Sequence, residues 1–174
     1  MSGHNKWSQI KNYKGAADKK RGQLFSKLLK AIAIAAKTEP NPQFNPRLRS
    51  AMEKAKENNV PQENIERAID KSSENKNLEE LVIEAYGPEG AALIIEAITD
   101  NKNRTIAEIK HLLSEHNAKI ATPGSVLWSF AQNQNKEWEA KFPQSISETA
   151  KTQLAALVDA LQEHDDIQRV TTSA

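Results

Sequence analysis

Cysteine is absent from the 174 residues. That excludes disulfides, thiolate metal sites and a thiol nucleophile, and it fits a reducing compartment, so a cytoplasmic location is the expectation. Long apolar runs are missing too. The most apolar stretch, AIAIAA at 31–36, is closed by Lys30 and Lys37, far short of the roughly 20 residues that a membrane span requires. No signal-peptide cleavage pattern is present, and no membrane partner is expected. Six glycines are too dispersed to make a phosphate-binding loop. No nucleophile–base pairing and no carboxylate cluster with a basic partner stands out, so neither an enzyme nor a small-molecule substrate or cofactor is expected. The scarcest feature is negative charge near the start. Before Glu39 the only carboxylate is Asp18, set against nine basic residues: Lys6, Lys11, Lys14, Lys19, Lys20, Arg21, Lys27, Lys30 and Lys37.

The overall charge of +1 therefore hides a division. Residues 1–71 hold fifteen Lys or Arg against seven Asp or Glu, net +8, and residues 72–174 hold nine against sixteen, net −7. Clustered cations on a nearly neutral chain suit a polyanion, because neutralising phosphates releases condensed counterions. The competing reading is a lysine-rich helical face that is merely solvated, on a protein–protein adaptor.

The spacing predicts one helix from Gly15 to Lys37. At about 100° per residue from Lys19, Leu24, Phe25, Leu28, Leu29, Ile32 and Ala35 fall between roughly 140° and 280°, whereas Lys19, Lys20, Lys27 and Lys30 fall between roughly 0° and 100°. Arg21, near 200° on the same wheel, is expected to snorkel from the apolar edge. Pro40 and Pro42 stop this helix. Asn45-Pro46 opens a second over 46–58, Asn58-Asn59 ends it, and Pro61 starts a third with Ile65, Ala68 and Ile69 inward. KSSENKN at 71–77 reads as a linker, giving a basic helical domain, 1–75, and an acidic domain, 76–174.

The second domain changes period. Strands are expected at 79–86 and 91–98 around Gly87-Pro-Glu-Gly90, then a helix opened by a capping box at Thr105–Glu108. Strands at 125–130 (SVLWSF) and in KEWEAKF, a helix from Ser147, and a final strand in IQRVTTS complete it. With the first strand set aside as an extra one, the order βαββαβ is ferredoxin-like, so the fold class is α+β: a three-helix domain, then a ferredoxin-like domain with an additional N-terminal strand.

In GHNKWSQIKNYK, Trp7 and Tyr13 are interleaved with Lys6, Lys11 and Lys14. Lysines can neutralise phosphates while a ring stacks on an unpaired base, an arrangement suited to single-stranded or structured RNA. Trp7 has a second role open to it, packing as core against the first helix, and that role is favoured. His4 carries no assigned function. Residues Lys6, Trp7, Lys11, Lys14, Lys19, Lys20, Arg21, Lys27 and Lys30 form the candidate nucleic-acid contact. A secondary anion site is conceivable at TDNKNRT through Asn101, Asn103 and Arg104, although Asp100, Asn101 and Asn103 are better suited to satisfying the turn backbone. Lys102 disqualifies that loop as a calcium site. His111 and His116 lie about 140° apart on a helix, a poor metal pair, and no metal is expected.

The chain resembles the YebC family, regulators of gene expression that include mitochondrial translational activators. GHNKWSQIK and DKKRGQLFSKL match the family's opening. NPRLRSAMEKAKENNVPQENIERAI follows its second and third helices, and YGPEGAALIIEAITDNKNRTIAEIKH and PGSVLWSF match its second domain. The family inserts a third domain after the segment corresponding to GSVLWSF, whereas here Phe130 is followed only by AQNQNK, so no role of that domain carries over. The resemblance implies a nucleic-acid partner, with two mechanisms described among its members: action on translation at or near the ribosome, and transcriptional regulation through DNA. No helix-turn-helix frame with base-reading side chains is evident, and the Trp-Lys opening suits irregular RNA, so RNA is favoured over DNA.

Overall fold

In the computed structural model, residues 4–174 are described, with side chains from Lys14 onward. The chain forms two compact units that divide between Glu74 and Asn75. Among the described residues no helix is long and apolar enough to cross a membrane.

The first unit is three helices: α1 (His4–Ala36), α2 (Pro46–Glu57) and α3 (Gln62–Asp70). The first is longer than its pattern predicts, since its backbone is helical from His4 rather than Gly15. Nothing in 4–14 forbids it: there is no proline, and Ile10 is the only β-branched residue. At 33 residues it is about 50 Å long. Only its C-terminal half builds the core. Leu28, Ile32, Ala35 and Ala36 are buried against Leu48, Ala55, Val60 and Ile65, with Phe25 and Leu29 packed at the margin. Leu24, expected inward, is instead 41% exposed, one turn before the core begins.

Two asparagines bracket α2. Asn45 is its N-cap, its side-chain oxygen accepting from the Leu48 N–H, and its side-chain amide donates to the carbonyls of Ala35 and Glu39 at 2.8 and 2.7 Å. One buried residue thus ties the end of α1 to the start of α2. At the other end Asn59 takes φ +60°. The N–H groups of Asn59 and Val60 then reach back to the carbonyls of Lys56 and Ala55 at 2.9 and 3.0 Å, the Schellman stop that Asn58-Asn59 predicts.

The second unit is β1 (Glu79–Tyr86), β2 (Ala92–Thr99), α4 (Lys102–Glu115), β3 (Lys119–Ile120), β4 (Phe130–Gln132), β5 (Trp138–Ala140), α5 (Glu148–Gln162) and β6 (Ile167–Thr172). Four strands pair antiparallel in the order β3-β1-β2-β6. Since β2 and β3 both oppose β1, they run parallel to each other across it and are joined through α4, the split βαβ of ferredoxin-like sheets. Leu81, Ile83, Ala85, Leu93, Ile95 and Ala97 share one face, onto which α4 brings Ile109 and Leu113 and α5 brings Leu154, Leu157 and Leu161. The fold class is therefore α+β, a helical unit followed by a ferredoxin-like unit with both helices on one face.

Chain order within this sheet differs from the sequence pattern. The strand read as extra, β1, lies at the centre, and a short β3 that the pattern misses forms the edge. SVLWSF is not a strand: Leu127–Ser129 is a single 3-10 turn, and only Phe130–Gln132 is extended. KEWEAKF narrows to Trp138–Ala140, and β4 and β5 pair in a separate hairpin. This hairpin covers the second face of the sheet, where Val126 and Phe130 bury Ala92 and Ile94.

The physical reason lies in Glu84. It points to the hairpin side of β1, is buried, and accepts the backbone N–H groups of Gly124, Val126 and Leu127. A carboxylate that bonds three amides within four residues holds the segment as a loop, because those N–H groups are no longer available to a strand partner.

Candidate nucleic-acid interface

The opening lysines stand on α1. Lys14, Lys19, Lys20 and Arg21 are exposed, and every residue from Lys14 to Lys20 is solvent-facing. Gly15 and Gly22 fit this picture, since a Cβ at either would meet nothing within 4 Å. The Arg21 guanidinium sits 5.3 Å from the centre of the Phe25 ring. Its place on the apolar side of the wheel is thus a cation–π contact with the core's first aromatic residue. Lys27 and Lys30 are half-buried beside the core and already engaged within the protein. The side chains of His4, Lys6, Trp7, Lys11 and Tyr13 lie outside the described residues.

The neighbouring segments of the unit add cations. Arg47 and Arg49 occupy the first turn of α2, which carries no acid, and Lys54 and Lys56 occupy its last turn, where they complement the helix dipole. Arg49 braces the preceding loop, donating through Nη1 to the carbonyls of Pro42 and Gln43 at 2.7 and 2.9 Å.

The TDNKNRT loop has a different character. Asn101 caps α4 by accepting from the Arg104 N–H, so the helix begins at Lys102, a turn earlier than the Thr105–Glu108 box suggests. Thr105 is fully buried, its hydroxyl 2.7 Å from Asp166 Oδ2 and 2.8 Å from Thr99 Oγ1. Arg104 reaches Asp166 at 2.8 Å, Asp100 at 3.1 Å and Glu108 at 3.8 Å. Its hydrogen bond to Asp166 holds the guanidinium charged even beyond its ordinary range. An incoming anion would meet three carboxylates around one cation, so the geometry makes this cluster a tie between α4 and the start of β6. Arg104→Gln is accordingly expected to lower the thermal midpoint, read by circular dichroism, and to leave nucleic-acid affinity unchanged within about twofold. A comparable loss of affinity in the folded variant would restore the loop as an anion site.

Glu108, His164 and Asp166 bring ligand atoms within 4.8 Å of one another. They are held by other partners: His164 Nδ1 accepts the Asp166 N–H while Nε2 bonds Glu108 at 2.8 Å, and Asp166 Oδ2 already takes Arg104 and Thr105. A cation here would have to displace the guanidinium. His111 Nε2 lies 3.5 Å from Glu115 across one helical turn.

A cationic helical unit joined to a four-stranded antiparallel sheet with two helices on one face defines a two-domain α+β protein with one basic and one acidic part. Residues 5–75 match the TACO1/YebC protein N-terminal domain, and residues 78–135 match the TACO1/YebC second and third domain. The chain belongs to the TACO1/YebC family. It is 46% identical over 176 residues to a protein of Desulfosudis oleivorans, covering 99% of this chain and 71% of that one. It is 43% identical over 177 residues to one of Pseudothermotoga lettingae, covering 99% and 70%. Each of those relatives is named "Probable transcriptional regulatory protein". The crystal structure of a conserved hypothetical protein from Aquifex aeolicus superposes with a TM-score of 0.81 at 29% identity, over 88% of this chain and 89% of that one.

Proposed function

We propose that this chain is a nucleic-acid-binding regulator of gene expression that acts on RNA, at or near the ribosome. The observation that carries the proposal is the exposed basic run of α1, Lys14 to Arg21, opposed only by Asp18. The basic unit, 1–75, supplies the contact through Lys6, Lys11, Lys14, Lys19, Lys20 and Arg21, with Lys27 and Lys30 at the margin of the core. The acidic unit, 76–174, at net −7 from Ser72 onward, repels phosphate and serves orientation or protein contacts. Nothing in this scheme requires catalysis or a cofactor.

A second reading, duplex-DNA binding in transcription, is favoured by the names of the relatives, "Probable transcriptional regulatory protein". The two are separated by competition at fixed salt. RNA action predicts that structured RNA or ribosomal particles displace a bound probe better than duplex DNA does, and that scrambling the duplex sequence changes little. Strong preference for one duplex sequence would overturn the RNA reading in favour of the second.

A further inference from the structure

We infer that Phe44 is a base-stacking residue, which extends the proposed RNA contact to the loop between α1 and α2; the inference rests on that functional reading. Among the described residues Phe44 is the most exposed large hydrophobic side chain, at 73%, and it belongs to none of the hydrophobic clusters. A lone exposed phenyl group is common on protein surfaces. What sets this one apart is its mounting.

The loop is held at every step. The Asn41 N–H donates to Glu39 Oε1 at 2.8 Å, the Gln43 N–H to Asn41 Oδ1 at 2.9 Å, and the Phe44 N–H to the Asn41 carbonyl at 3.1 Å. Arg49 clamps the carbonyls of Pro42 and Gln43, and the next residue after the ring, buried Asn45, donates through its side-chain amide to the Ala35 carbonyl of α1. Pro40, Pro42 and Pro46 remove further backbone freedom. The ring is thus presented on a rigid support, and a ligand meeting it pays little ordering entropy.

Charge identifies the occupant. Arg47 and Arg49 stand in the first turn of α2, at the positive end of its dipole, where acids would be the stabilising choice. Lys37 stands at the end of α1. Arg49 is held by the loop carbonyls, and the segment 37–49 as a whole carries three cations, Lys37, Arg47 and Arg49, against one carboxylate, Glu39. An exposed apolar ring on a segment of net positive charge matches a nucleotide, whose base has a π-face and whose phosphate is negative. Trp128 and Phe142, the other exposed rings, pack against each other at 5.8 Å in the acidic unit, with Lys141 Nζ donating to the Trp128 carbonyl at 3.0 Å, so each already has a ring partner.

The test uses the full chain, an unstructured RNA oligonucleotide carrying a fluorescent adenine analogue, and an RNA duplex. Phe44→Ala is expected to weaken binding to the single strand by roughly 5- to 150-fold, the effect of removing one stacked base. The loss should be equal at every salt concentration, because no phosphate contact is removed, and the quenching of the analogue should disappear. Duplex binding should change less than twofold. Phe44→Trp should retain affinity, whereas Phe44→Leu, apolar but without a π-face, should fall with alanine. Binding by wild type with an unaffected F44A variant overturns this inference alone, as does full retention by F44L. Failure of wild type to bind either RNA overturns the functional reading and the inference together.

Discussion

Replacing Lys6, Lys11, Lys14, Lys19 and Lys20 together by glutamine is expected to flatten the salt dependence of RNA binding by about 3.5 to 4.5 log units per log unit of salt, because each neutralised phosphate contributes roughly 0.7–0.9. At low salt the affinity should fall by at least about two orders of magnitude by the same relation. The variant should fold. Lys14, Lys19 and Lys20 are exposed, and glutamine is about as good a helix former as lysine. Helicity by circular dichroism and binding by fluorescence anisotropy across a salt series check the two halves of the prediction. An unchanged slope in a helical variant would falsify the assignment of these lysines. Together with F44A the experiment separates two physical contributions: the lysines set the slope, and the ring sets the intercept.

The largest expected effect on stability belongs to Glu84. Truncation to alanine removes the acceptor of three backbone N–H groups, those of Gly124, Val126 and Leu127. Loss of three bonds to a charged acceptor, with the N–H of buried Val126 left without its partner while exposed Gly124 can turn to water, should cost about 3 kcal/mol. Glu84→Gln recovers only part of this, since its amide nitrogen faces donors. The pH dependence follows from the same geometry. Burial pushes the Glu84 pKa up, but the N–H groups of Gly124, Leu127 and Val126 together outweigh it and hold the carboxyl below its ordinary value. A folded-state pKa below the unfolded one means that the unfolded chain takes up the proton first. The stabilisation is therefore complete above the ordinary glutamate range, about 4.3, and is lost as pH falls through the folded value. Urea titrations at neutral and acidic pH should show the gap between wild type and E84A closing on acidification. A gap that stays constant would show that the clamp does not depend on the charge.

How far this molecule can be read from its sequence depends on the range of the interactions concerned. Asn45-Pro46, Asn58-Asn59 and Ser147 are local signals, each acting within about one helical turn, and each marks a helix end in the structure. The β1–β2 hairpin and α4 are legible because two β-rich runs flank a Gly-Pro-Glu-Gly turn and helical spacing survives in α4, whereas β3, which completes the split βαβ, is two residues long and leaves no pattern. Glu84 defeats that kind of reading. Its partners lie 40–43 residues away, and without them SVLWSF has the composition of a strand. Thr105 fails for the same reason: its hydroxyl serves Asp166, 61 residues distant, rather than a helix cap. On the basic unit, charge made the lysines visible, since charge is additive and needs no fold. Phe44 was hidden because NPQFNPR reads only as a helix boundary, and a ring's exposure is a property of the folded surface.

The hairpin of β4 and β5 has a further consequence. Between Gln132 and Trp138 the chain turns through five residues, with Asn133 bonding back to Glu137 and Lys136 at φ +60°. The two strand ends at this turn are antiparallel partners, so they lie only about 5 Å apart. A site with neighbouring entry and exit is one where chain can be added or removed without moving what flanks it. The relatives from Desulfosudis oleivorans and Pseudothermotoga lettingae are longer than this chain, which spans about seven-tenths of their length. A turn of this kind behaves as a socket: lengthening it leaves the four-stranded sheet and the Glu84 clamp where they are. Variation in length is then absorbed at the hairpin tip, without disturbing the sheet that carries it.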